Sequence, residues 1–237
     1  MNKARLKEIF NKLRSQNPVV SAYGFRIYMG GLIRTTKRSI RGHDQSIHVH
    51  RSAVLKNVTF DLRGQGHRIE IGPYCILRSV YFDIRGHGNK ITLNEDVRFN
   101  QGIRINRSGC LCMMEDGGEI HIGKGSTFED AIFVVSGLNK RILIGDDCMF
   151  SSNIDVRTGD DHAVVDLLGN KLNHEKDVTL KNHVWVAPNC SILKGVQIGA
   201  GSIIATRSTV TRPFQDENIL IGGSPAKKLK DQITWVR

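Results

Sequence analysis

The segment VTLKNHVWVAPNCSILKGVQIGAGSIIATRSTV, residues 178–210, decides the fold. An aliphatic side chain stands at every sixth position through it: Leu180, Val186, Ile192, Ile198, Ile204 and Val210. An amphipathic helix repeats its apolar face near 3.6 residues and a half-buried strand at two, so this spacing fits neither. It fits a chain that turns a corner after each short strand and returns over itself every 18 residues, as from Val178 to Val196. The inward side chain of each coil then stacks on the one below. Each coil buries its face only against its neighbours.

Upstream the same row recurs. Rows open at residues 47, 69, 91, 120, 142, 178 and 196. Their first positions are Ile47, Ile69, Ile91, Ile120, Ile142, Val178 and Val196. Their third positions are Val49, Ile71, Leu93, Ile122, Ile144, Leu180 and Ile198. Four residues later stands a small side chain: Ala53, Cys75, Val97, Ser126, Cys148, Val184 and Ser202. This predicts an all-β fold, a parallel β-helix of about seven coils over residues 47–213. Rows longer than 18 residues carry insertions. Two insertions match each other, Arg63-Gly64-Gln65-Gly66-His67 and Arg85-Gly86-His87-Gly88-Asn89, and are expected to stack as one structural corner. The largest covers about residues 160–177, and a long excursion from a regular solenoid commonly carries function.

Composition agrees. The 237 residues are 40% apolar and 24% charged, which excludes disorder. The 24 glycines supply corners, and aromatics at 6% suit a narrow interior with little room for rings. No apolar run reaches the 18 residues of a spanning helix. The opening MNKARLKEIFNKLR lacks the apolar block of a signal peptide. Five cysteines without a dense framework point to a reducing compartment. Cys110 and Cys112 alone cannot close a tetrahedral metal site. His43 precedes the first coil and His48 stands at its start, with no third histidine placed to join them, so no metal is expected.

The ends differ from the middle. Leu6, Ile9, Phe10 and Leu13 fall on one helical face, so residues 1–46 are expected to form a basic helical arm. Residues 214–237 are expected to form a cap with a short helix after Pro225. The net charge of +11 first suggests an anionic partner. Yet residues 1–41 hold ten Lys and Arg against Glu8 alone, while residues 42–211 balance to zero. The charge therefore belongs to the arm, and nucleic acid is not the expected partner. An anionic glycan or the inner membrane face is.

Three further segments carry chemistry: TGDDH at 158–162, HVWVAPN at 183–189 and GGSPAKKL at 222–229. Together with the rows they resemble the hexapeptide-repeat O-acetyltransferases, most of all the bacterial polysaccharide and capsule O-acetyltransferases. The resemblance implies a left-handed helix of triangular section, a homotrimer with sites shared between neighbours, and acetyl-CoA as donor. It implies a cytoplasmic enzyme that acetylates a hydroxyl of a cell-surface polysaccharide or its sugar precursor. His162 is then the general base, because an alcohol proton needs a base poised near neutral pH. Asp160, Asp161, Asp166 or a backbone carbonyl could orient its ring. Trp185 offers an indole N–H, a donor only, for a developing oxyanion, or borders the donor channel. Ala187, Thr206, Thr211, Arg212, Lys227 and Lys230 are carried over as coenzyme A contacts, the basic ones facing its phosphates. Asn153, Asp155 and Asp161 are expected to meet the acceptor sugar. Two enzyme readings stand beside this one, N-acetylation of a nucleotide-linked amino sugar and acetylation of a xenobiotic. Outside enzymes, a catalytically silent scaffold is the alternative.

Overall fold

The computed structural model describes residues 36–99 and 109–237. Its strands fall into sheets of eight, seven and nine strands, parallel except at the last pair of the third sheet. Up to Thr209–Val210, successive strands go to different sheets, and every third strand returns beside its predecessor, as Ser46–Val49, Arg68–Ile71 and Lys90–Leu93 do. The described body is a three-sided parallel β-helix.

The register is the one the rows predict. Ile47, Ile69, Ile91, Ile120, Ile142 and Val178 are direct partners up the second sheet. Val49, Ile71, Leu93, Ile122, Ile144, Leu180 and Ile198 form the parallel column beside them. The seven small residues are all buried just before a strand of the third sheet. Three of them bond a corner carbonyl further up the helix: Cys75 to Asn94, Ser126 to Gly145 and Cys148 to Lys181. Burial pushes the Cys75 and Cys148 thiols up to about 11, so neither is a nucleophile at neutral pH.

The interior holds more aromatic rings than composition suggests. Phe60, Phe82, Phe99, Phe128, Phe133 and Phe150 are fully buried. Phe60 stacks on Phe82 at 4.8 Å and Phe99 on Phe128 at 4.6 Å. Parallel strands lie about 4.8 Å apart, close to the spacing of stacked rings. A narrow coil therefore accepts a ring if the next coil supplies one in register.

The matched insertions stack as expected, and a third belongs with them, Arg41-Gly42-His43-Asp44-Gln45. Gly66 N–H donates to the His43 carbonyl and Gly88 N–H to the Gln65 carbonyl. His67 and Asn89, both buried, turn inward and each bonds the carbonyl four residues back, that of Arg63 or Arg85. Burial also lowers the His67 pKa, which keeps the ring neutral. Gly64 has φ +124, and a Cβ there would lie 1.7 Å from the Gly86 carbonyl oxygen.

Both ends depart from the sequence reading. Residues 1–35 of the expected arm lie outside the described residues. Thr36–Arg41, assigned to that arm, is a strand paired in parallel with Val58–Arg63. The helix after Pro225 is absent. Leu220–Gly223 extends the third sheet, and Ala226–Lys230 folds back on it antiparallel. Gly223, at φ +103, and Pro225 make the reversal, and a lysine-rich last strand shields the sheet edge.

Two glycines separate space from conformation. Gly64→Ala meets both a clash and a strained φ. Gly88→Ala meets only strain, since nothing lies within 4 Å of its Cβ position. Chemical denaturation should show a cost of about 1 kcal/mol for Gly88→Ala and at least about 2–3 kcal/mol for Gly64→Ala.

Candidate active site

The excursion leaves and re-enters the helix at one neck. Thr158, fully buried, donates its hydroxyl to the Ser136 carbonyl and accepts the Ser136 N–H. Its own carbonyl accepts the Lys176 N–H at 2.9 Å, so the two legs meet there. Between them the chain is a hydrogen-bonded hairpin. Leu172 N–H donates to the Val164 carbonyl, and Asp166 caps the tip by accepting from the N–H groups of Leu168 and Asn170. At the base, Asp160 accepts from Lys194 Nζ and from Asn173 Nδ2. Asn173 Nδ2 also donates to the His162 carbonyl at 2.8 Å. Lys194 comes from the next coil and so ties the excursion to the body.

His162 therefore has a fixed backbone and an exposed ring. None of the three carboxylates that the sequence offers bonds that ring within the chain. Asp160 is held by Lys194 and Asn173. Asp161 is held by Arg157 at 2.7 Å and by Ser136. Asp166 is spent on the hairpin tip. The hydrogen bonds from Lys194 and Asn173 hold the Asp160 carboxyl below its ordinary range.

The expected sugar contacts are mostly occupied. Asn153 sits at a corner with φ +57, and its Nδ2 donates to Asn189 Oδ1 of the next coil. Arg157 bridges Asp155 and Asp161, at 2.8 and 2.7 Å. The last coils gather several of the donor positions. Ala187 N–H donates to the Ile204 carbonyl, and Thr206 Oγ1 donates to the Pro188 carbonyl. Thr211 is exposed, and Arg212 lies over the Phe214 ring at 5.1 Å. Lys227 and Lys230 are exposed on the returning strand, whereas Lys228 between them pairs with Asp216 and Asp231.

Trp185 lies on the third sheet between Met149 and Ile203. It is half-buried, and its Nε1 is buried with no hydrogen-bond partner. Beside it, at 6.3 Å between ring centroids, lies Trp235, which the sequence reading passed over. Trp235 stacks face to face on His183 at 4.1 Å. The signal was available, since the chain has only two tryptophans. No hydrogen bond or ring contact links His162 to Trp185 within the chain. A groove of about 460 Å³ over the second sheet, lined in part by His121, Leu143 and Asn182, contains neither. Among the described residues no group of three His, Cys, Asp or Glu is placed to hold a metal.

Comparison with known proteins places the repeats. Residues 177–212 match the model of the bacterial transferase hexapeptide (six repeats). The chain is 30% identical over 134 residues to a polysialic acid O-acetyltransferase of Neisseria meningitidis, covering 56% of this chain and 62% of that one. It is 30% identical over 122 residues to the Escherichia coli O1:K1 / APEC counterpart, covering 51% and 39%. These matches thus span less than two thirds of either curated relative. Among solved structures, the polysialic acid O-acetyltransferase OatWY superposes with a TM-score of 0.78 at 25% identity, covering 86% of this chain and 92% of that one. The polySia-specific acetyltransferase NeuO does so with a TM-score of 0.73, again at 25% identity, covering 86% and 89%.

The anchor at the base of the excursion can be tested by hydrogen exchange. Lys194→Ala should speed exchange across residues 160–176 and leave the melting temperature nearly unchanged. In the native chain the Asp160 pKa is depressed, so its anchoring is present at neutral pH. It should be lost only as pH falls below the ordinary carboxyl value of 3.8.

Proposed function

We propose that this chain, a hexapeptide-repeat protein similar to the bacterial polysaccharide O-acetyltransferases, is an acyltransferase that moves acetyl from acetyl-CoA to a hydroxyl of a cell-surface glycan. The observation that carries this reading is the exposed imidazole of His162, held on an anchored hairpin with no partner spending its ring nitrogens. The likeness over 86% of the chain to two acetyltransferases of an anionic sugar polymer supports the acceptor class. Lys227 and Lys230, exposed and without an ion-pair partner among the described residues, suit the phosphates of the donor.

The chemistry follows from these groups. His162 takes the proton of the acceptor hydroxyl as that oxygen attacks the thioester carbonyl. Trp185, or a backbone N–H, donates to the oxyanion of the tetrahedral intermediate. The C–S bond then breaks and the leaving thiolate recovers the proton from His162. No acyl-enzyme forms. His162 and Trp185 do not meet within one chain, so the working site is read as shared between neighbours in a homotrimer. The basic residues before Thr36 are read as a contact for the anionic acceptor or for the inner face of the membrane.

Two measurements test this. His162→Ala should lower acetyl transfer to a sialic-acid polymer by about 10²–10⁴-fold while leaving the melting temperature unchanged; near-full activity would refute the assignment. Deleting residues 1–35, which spares the strand Thr36–Arg41, should abolish binding to anionic polymer or vesicles and leave acetyl-CoA binding by calorimetry intact.

A further inference from the structure

The segment Ile233–Arg237 runs down the corner between the second and third sheets, and its contacts are dense. Ile233 N–H donates to the Asn218 carbonyl. Trp235, almost fully buried, donates its Nε1–H to the His183 carbonyl at 2.9 Å. Its own carbonyl lies 3.1 Å from His183 Nε2, while His183 Nδ1 lies 2.7 Å from Asp147 Oδ2. Each ring nitrogen of His183 thus faces an acceptor. Either neutral tautomer donates one bond, and the charged ring donates both. Arg237 closes the circuit. Its Nε donates to Asp147 Oδ1 at 2.9 Å, and its other nitrogens reach Thr127 Oγ1 and the carbonyls of Gly125 and Cys148. The guanidinium also lies 5.7 Å from the Trp235 ring centre. Burial pushes the Asp147 carboxyl up, but hydrogen bonds from His183 and Arg237 outweigh it, and the net shift is downward.

These contacts bear on Trp185. A buried N–H without a partner carries a desolvation cost, and a half-buried indole could recover it by swinging toward water. The ring stays in place because something holds it there. Trp235, tilted at 51° to it, is the aromatic neighbour on that side. We infer that Ile233–Arg237 is a strap, and that Trp235 is a positioning residue that pins Trp185 with its N–H unspent. The clamp formed by His183, Asp147 and Arg237 holds Trp235, and Trp235 fixes the half-buried ring of Trp185, whose accessible face borders the acetyl donor. This rests on the reading of Trp185 as a residue of the donor site, and the test separates the two.

Asp147→Asn and Arg237→Ala unlatch the strap without touching Trp185. Asp147 has φ +53, a conformation that asparagine tolerates, so the first variant keeps the corner intact. With both tryptophans present, each variant should lower kcat by about ten- to a hundredfold, with the acetyl-CoA KM nearly unchanged. In a Trp235→Phe background, Trp185 is the sole indole. There, adding Arg237→Ala should shift its emission to the red and raise its acrylamide quenching. Unchanged quenching on unlatching, or unchanged kcat in both variants, overturns the strap. A native chain that transfers no acetyl group overturns the proposed activity instead, and the quenching comparison alone then decides whether the strap holds Trp185.

Discussion

In-register stacking of coils about 4.8 Å apart is the constraint on which the rest of this structure depends. It makes every core position answer to the same position above and below. That is why the Ile47 to Val178 column is continuous and why Phe128 can stand between Phe99 and Phe150. It also decides where extra chain can go. An insertion cannot displace a strand without breaking the column, so it must leave and return at one corner. The neck of Thr158, Ser136 and Lys176 does this for the excursion, and the stacked glycine corners do it for the shorter insertions.

The same constraint separates structural polar groups from those with chemistry to offer. A polar residue at a corner has a neighbour one coil away, and the two usually satisfy each other. Asn153 meets Asn189, Asn89 meets the Gly118 N–H, and Asp146 meets the Lys124 N–H. Within a single coil, Arg157 closes an acid–base row with Asp155 and Asp161. Among the described residues three buried side-chain atoms lack a partner, Gln45 Oε1, Thr92 Oγ1 and Trp185 Nε1, and the His162 ring and the ammonium groups of Lys227 and Lys230 stand exposed and unpaired. Openness in a structure that satisfies most of its polar groups is a physical ground for assigning function.

Much of the fold was legible because periodicity is a local property. The seven rows place their residues in the register that the sheets adopt, and the small position before each third-sheet strand was visible as composition. The helix expected after Pro225 gives way to a strand because Leu220–Gly223, itself paired with the third sheet, offers an edge two residues away on which the chain folds back. Other failures depended on distant partners. The phenylalanine stacks were hidden in a low aromatic percentage, because rings in register, Phe60 with Phe82 and Phe99 with Phe128 and Phe150, matter more than their number. At the site, His162 and Trp185 could be singled out by motif. The fate of Asp160 could not, because its partner Lys194 lies 34 residues away in sequence. Trp235 was missed for the same reason: its meaning lies in His183, 52 residues earlier.

A β-helix has a filled interior and no cleft of its own. Its outer faces are flat or convex, and the groove over the second sheet takes in none of the residues with open chemistry. A reaction that must hold a thioester between a base and an oxyanion donor, away from water, needs a second wall. Within one chain that wall can come only from what the coils carry outside themselves: the excursion with His162, the hairpin with Lys227 and Lys230, and the segment that brings Trp235 against Trp185. His162 and Trp185 leave the helix from strands of different sheets and make no bonded contact in the chain. A rigid solenoid cannot fold to bring them together. Apposition of a second copy can, so a shared site is what the roles proposed for His162 and Trp185 require.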